Sequence, residues 1–314
     1  MRILFTGKNF AQGLKDTDES SIALAAVSEG YEVVEFLEER PDLVVCVDFD
    51  YKSLKTLRAA RRKGVPSCLI ANEPEVVIPE HGKTSVRRKF DKVLLVGRPG
   101  SPVQLKWPQT WSSVSENEVR MNRAVLINAD KWSFVSGQLY WLRAGLVSGS
   151  ELVDTFGGGW NRPNVIRLLH RAVDYARAFR SLRFPSHKGL RHIFARPRAW
   201  MGTVPDKLVA MERYKVAVVI ENSVELMTEK IFDAWFAGCI PVYVGPDLES
   251  FGLDARFAVK AEPNIAAVEK AIQSAIEIDG QAFREELRGF VRAADLRQQW
   301  NANSALKAIL RAID

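Results

Sequence analysis

Residues 214–246 read YKVAVVIENSVELMTEKIFDAWFAGCIPVYVGP. From Val216 to Ile220 the run is apolar and rich in β-branched side chains, the pattern of a strand buried on both faces. Glu221 to Met227 reads as a loop. Thr228 is placed to cap a helix with Ile231, Ala234 and Trp235 along one stripe and Gly238 at its end. Ile240 to Val244 returns as a second buried strand, closed by Gly245 and Pro246. Such a strand–helix–strand unit predicts a parallel α/β domain. Its polar loop stands at the carboxyl end of the first strand, where open α/β sheets bind their ligands.

Working outward, 314 residues suffice for two domains, each with its own core. No apolar run approaches the length of a membrane span. The opening MRILFTG reads as a strand rather than a secretory signal, which predicts a cytoplasmic protein. Cys46, Cys68 and Cys239 lie in apolar runs without metal-type spacing, as buried thiols of a reducing compartment would. His81, His170, His187 and His192 form no close pair, so a protein-built transition-metal site is not expected. The net charge of +6 points to an anionic partner. Basic residues gather at 58–63, 87–89 and 162–198, but no zinc finger or RNP motif accompanies them. That leaves an anionic small substrate, or a lipid-linked acceptor at a membrane face, ahead of nucleic acid.

Strands are expected at 2–6, 31–36, 43–47, 65–71 and 92–96, with helices at 20–28 and 51–63. The Pro- and Ser-rich stretch 97–119, with Trp107 and Trp111, reads as a linker or an acceptor-facing loop. Its end divides the chain into domains 1–119 and 120–314. The second opens with a strand at 124–128, a helix at 134–146 and a strand at 152–156. Residues 161–205 are strongly basic, helical in their centre, and suited to a diphosphate or an anionic membrane. A strand at 257–260 and helices at 265–278, 281–291 and 301–313 follow, the last able to pack back on the first domain. Asn72-Glu73-Pro74-Glu75 ends the 65–71 strand, and spacing alone reads its carboxylates as turn residues or as a general base. Asp48-Phe49-Asp50 has the letters of a metal-binding Asp-x-Asp but reads as a strand end.

Glu221-Asn222-Ser223, Thr228-Glu229-Lys230 and Gly238-x-Ile240-Pro241-Val242-x-Val244-Gly245-Pro246, in this order and spacing, resemble the donor-binding signature of glycosyltransferase family 10, the α-1,3/4-fucosyltransferases. Asn128-Ala129-Asp130-Lys131 and Val153-Asp154-x-Phe156-Gly157-x-Gly159-Trp160 resemble that family's first donor-domain strand and its following turn. The resemblance implies an α/β GT-B fold, two Rossmann-like domains facing across a cleft. It also implies an inverting transferase that moves L-fucose from GDP-β-L-fucose to a hydroxyl of a glycan or glycolipid acceptor. Glu73 matches the family's catalytic carboxylate, a Glu shortly before a segment like Lys89-Phe90-Asp91, with Glu75 in reserve. Glu221, Asn222, Glu229 and Lys230 would meet the donor, and with a lysine on the diphosphate no cofactor is required and a divalent metal is not essential.

The chain departs from the family at two places. Val135-Ser136-Gly137-Gln138 stands where the family has a phosphate-binding arginine, and Lys131 and Arg143 are the candidates to replace it. Leu226 stands where an aromatic residue is usual. Two alternatives therefore stay open: a GT-B transferase for another sugar nucleotide, and a non-catalytic nucleotide-sugar or glycan-binding protein.

Overall fold

The computed structural model describes residues 1–8, 18–101, 112–180, 185–293 and 296–313. Residues 102–111 of the expected linker, with Trp107 and Trp111, lie outside them. The chain divides into two compact units, Met1–Gln109 with Arg297–Asp314, and Thr110–Leu296.

In the first unit, β1 (Arg2–Gly7), α1 (Asp18–Ser28), β2 (Glu32–Val34), β3 (Leu43–Val47), α2 (Ser53–Arg62), β4 (Ser67–Ala71), α3 (Thr84–Arg87) and β5 (Lys92–Leu95) follow in order. The sheet is all parallel, in the order β2-β1-β3-β4-β5. Period-2 geometry sorts its residues. Ile3, Phe5, Val45 and Ile70 face a cluster with Ile22 and Ala26 of α1, while Leu4, Val44, Cys46 and Leu69 face one with Leu57 and Ala60 of α2. Both faces are covered, so the strands read as unbroken apolar runs.

The second unit contains β6 (Met121–Ile127), α4 (Tyr140–Gly149), β7 (Val153–Phe156), α5 (Asn164–Arg180), α6 (Lys207–Met211), β8 (Tyr214–Ile220), α7 (Lys230–Phe236), β9 (Ile240–Val244), β10 (Val259–Lys260), α8 (Ile265–Glu277) and α9 (Gly280–Ala293). Its parallel sheet runs β10-β9-β8-β6-β7. Counted from its own first strand this is the same order as in the first unit. Before β6, Ser115 donates its N–H to Phe236 O and its hydroxyl to Glu212, so residues left with the first domain by sequence are bonded into the second unit. α10 (Leu296–Gln299) precedes α11 (Ala302–Ile313), which returns to the first unit and buries Leu306 and Ile309 beside α1. Each such side chain contributes about 1.5–3 kcal/mol.

Two helix expectations need correction. The helix expected at 134–146 starts only at Tyr140, because Gly137 takes φ +86° and the Gln138 side chain caps the N–H groups of Tyr140 and Trp141. Thr228 does not cap α7, which begins at Lys230 after Glu229 without a side-chain cap. Gly238 does end it. At φ +67° its N–H bonds Trp235 O and that of Cys239 bonds Ala234 O, a Schellman closure that holds β9 in register. The three cysteines are free and buried.

Candidate active site

The strand order of the second sheet reverses between β6 and β8. A doubly wound sheet opens its crevice at that point, beyond the carboxyl ends of the two strands. The loops leaving them are stitched together there: Gln138 bridges Ser223, and Leu139 N–H donates to Asn222 O at 3.1 Å. On the flank, Gly157 after β7 takes φ +131°, and any Cβ there would stand 2.2 Å from Asn128 O. Only glycine permits that approach. Trp160 Nε1 then donates to the same carbonyl at 2.7 Å.

Glu221 is fully buried. Its carboxylate accepts from Thr228 N–H at 2.9 Å, from Thr228 Oγ1 at 2.7 Å and from Lys230 Nζ at 3.1 Å. Expected as a donor contact, Glu221 is instead the support beneath the loop. Lys230 pairs with it and not with Asp233, whose partner is Lys207 at 2.6 Å. Burial pushes the Asp233 carboxyl up to about 6, with Lys207 acting against it. Lys230 also donates to Thr228 Oγ1 at 2.9 Å. An ammonium has three N–H groups, so one is left for a ligand.

Asn222 is aligned from below by Arg143. This buried guanidinium donates to Ile220 O and, at 3.0 Å, to Asn222 Oδ1, and it lies 4.9 Å over the Tyr140 ring. Burial holds its pKa below the usual arginine value. Arg143 thus positions Asn222. Glu229 stands half-buried at the head of α7, and its Oε2 is buried without a hydrogen-bond partner among the described residues. Leaving such an acceptor unmet costs about 1–3 kcal/mol, which a hydroxyl-bearing ligand would recover. Lys131 lies exposed on the loop after β6.

Asp130, next to Lys131, is the anchor that sequence reading missed. It is buried between Arg167 Nε at 2.8 Å and the Arg171 guanidinium, while Arg167 also donates to the carbonyls of Phe194 and Ala195. Asp130→Ala leaves two buried cations uncompensated and should cost the second unit about 3–5 kcal/mol in urea unfolding. A loss below about 1 kcal/mol would show the triad to be neutral for stability.

In the first unit, Glu73 lies on the loop that leaves β4. Its N–H donates to Asp48 Oδ1 at 2.8 Å, and its carbonyl accepts from His81 Nδ1 at 2.7 Å. His81 Nε2 accepts from Phe49 N–H at 3.0 Å, which fixes the neutral Nδ1–H tautomer, and burial pushes its pKa down to about 4. The 3.7 Å approach of His81 to Asp48 is therefore a polar contact and not an ion pair. Glu75 is held by Arg87 at 3.1 Å. Asp48 serves the Glu73 loop and Asp50 accepts from Ser53 at the start of α2, so the Asp-x-Asp letters have structural work. Among the described residues no three His, Cys, Asp or Glu side chains gather as a metal-binding group, and no helix is long and apolar enough to cross a membrane.

No protein-family model matches the sequence, and no curated protein matches it. Solved structures do. Anabaena HepE in complex with UDP is 13% identical over 100% of this chain and 99% of its own, with a TM-score of 0.57. An alpha1,3-fucosyltransferase is 12% identical over 99% of this chain and 89% of its own, with a TM-score of 0.52. An alpha-glucosyltransferase in complex with UDP and DNA is 12% identical over 100% and 99%, with a TM-score of 0.51. At such identities the likeness shows the fold: two parallel five-stranded α/β sheets of the GT-B class.

Proposed function

We propose that this chain is an inverting glycosyltransferase that binds a nucleotide-sugar donor at the loop following β8, with L-fucose from GDP-β-L-fucose as the transferred group. The observation that carries the reading is the loop itself. Lys230 keeps one N–H after pairing with Glu221 and Thr228, Asn222 is oriented by Arg143, and Glu229 Oε2 is buried and unmet. A cation, an amide and a carboxylate oxygen on one loop suit a diphosphate and sugar hydroxyls. The leaving nucleoside diphosphate gains charge in the transition state, where a fixed ammonium stabilises it. Glu73 is proposed to take the proton of the acceptor hydroxyl as that oxygen displaces the diphosphate, giving an α-linked product. The acceptor is a glycan or glycolipid, and no cofactor is proposed. A cytoplasmic location with peripheral contact to an anionic membrane belongs to the same proposal.

A second reading, a UDP-sugar donor, is favoured by two observations. The Ser136-Gly137-Gln138 segment and Leu226 depart from the fucosyltransferase pattern. The HepE structures with the same fold hold UDP or UDP-glucose. Isothermal titration with GDP, GDP-fucose, GDP-mannose and UDP-glucose separates the readings. Micromolar binding of GDP and GDP-fucose, at least about tenfold tighter than UDP-glucose (about 1.4 kcal/mol), supports the first. The reverse order moves the protein to the second, and binding of none sinks both.

A further inference from the structure

α5 carries its polarity inside out. Arg167, Arg171, Asp174 and Ala178, spaced three or four residues apart, form the stripe turned toward the protein, with the two arginines clamped on Asp130. The opposite face holds Val165, Leu169 and Val173 at 69%, 58% and 51% exposure, flanked by Leu168 and Phe179 at 56% and 60%. Surface helices normally turn apolar residues to the core, and a contiguous exposed apolar face marks an interaction surface.

Charge identifies the partner. Residues 161–200 contain nine arginines, one lysine and a single acid, Asp174, which lies on the inward stripe. Two of the arginines are neutralised by Asp130 and Arg198 pairs with Glu151, while Arg162 lies 3.2 Å from the exposed His170 of α5 and Arg177 and Arg191 are exposed. Arg196 donates to Arg162 O at 3.1 Å and to Asn164 Oδ1 at 3.2 Å, stapling the following loop to the start of α5. That loop adds the exposed Phe194 and Arg191. Arg177 stands exposed farther along the helix. A nucleic acid would use the arginines but not the apolar face, and an uncharged protein groove would use the face but not the arginines.

We propose that α5 and the 190–198 loop dock this protein on an anionic lipid surface. The Val165–Leu169–Val173 stripe enters the headgroup–acyl boundary and the arginines meet lipid phosphates. This deepens the membrane-contact part of the proposed function and is independent of the donor. The test is co-sedimentation of the full chain with phosphatidylcholine vesicles, with and without about a third phosphatidylglycerol. The wild type should bind the anionic vesicles at least about tenfold tighter than the neutral ones, and less tightly as salt rises. Leu169→Glu/Val173→Glu should lower that binding about tenfold or more with an unchanged melting temperature. Should the double variant misfold, Arg177→Glu supplies the second readout, a weaker salt dependence. No binding by the wild type removes membrane contact altogether. Unchanged binding by folded Leu169→Glu/Val173→Glu overturns the role of α5 alone. A wild-type dimer that this variant dissolves, without vesicle binding, would make a second copy the occupant of the face.

Discussion

Changing Glu73 to Gln should lower glycosyl transfer by about 10²–10⁴-fold, the range lost with a general base, while nucleotide affinity stays within about twofold. The substitution keeps the side chain's shape and removes its basicity. It also leaves the local backbone supports in place, because Asp48 and His81 hold Glu73 through its N–H and its carbonyl. A lost rate with unchanged titration isotherms and melting temperature would therefore report chemistry and not misfolding. Near-normal transfer by Glu73→Gln would remove it as the base. Glu75 would come next, although its carboxylate is already committed to Arg87.

The fold was legible because both sheets are covered on both sides. Unbroken runs such as Leu43–Val47 and Ile240–Val244 carry the signature of buried parallel strands, and their bounds agree with the structure. What escaped was local or distant. The short α3 and α6 offer too few residues for a periodic signal. Gln138 caps α4 through a side chain that spacing does not mark as a cap. The Asp130 triad joins residues 37 and 41 positions apart. Nothing in one sequence announces such a pairing, since it depends on where the loop after β6 and the helix α5 meet. In the candidate site the polar letters were visible, but their division of labour was not. Glu221 and Thr228 face inward because Lys230 reaches back across nine residues to the carboxylate, a contact that a helical wheel cannot show.

That pairing gives Lys230 two separable duties. Lys230→Ala should weaken GDP or GDP-sugar binding about 10- to 100-fold, the worth of a charge-assisted hydrogen bond to phosphate. It should also destabilise the second unit by about 2–3 kcal/mol, below the usual range for a broken buried pair because the lysine is partly exposed. The stability loss arises from Glu221, a fully buried carboxylate left with Thr228 alone. Adding Glu221→Gln removes the stranded charge, and an amide oxygen can still accept from the Thr228 N–H. In the double variant unfolding stability should return to within about 1 kcal/mol of wild type, whereas nucleotide affinity should stay low. A double-mutant cycle read by urea unfolding and by titration calorimetry resolves the two effects. If nucleotide affinity recovers together with stability, Lys230 acts only by holding the loop, and the phosphate contact must come from elsewhere. If Lys230→Ala leaves affinity unchanged, the donor site does not lie at the head of α7.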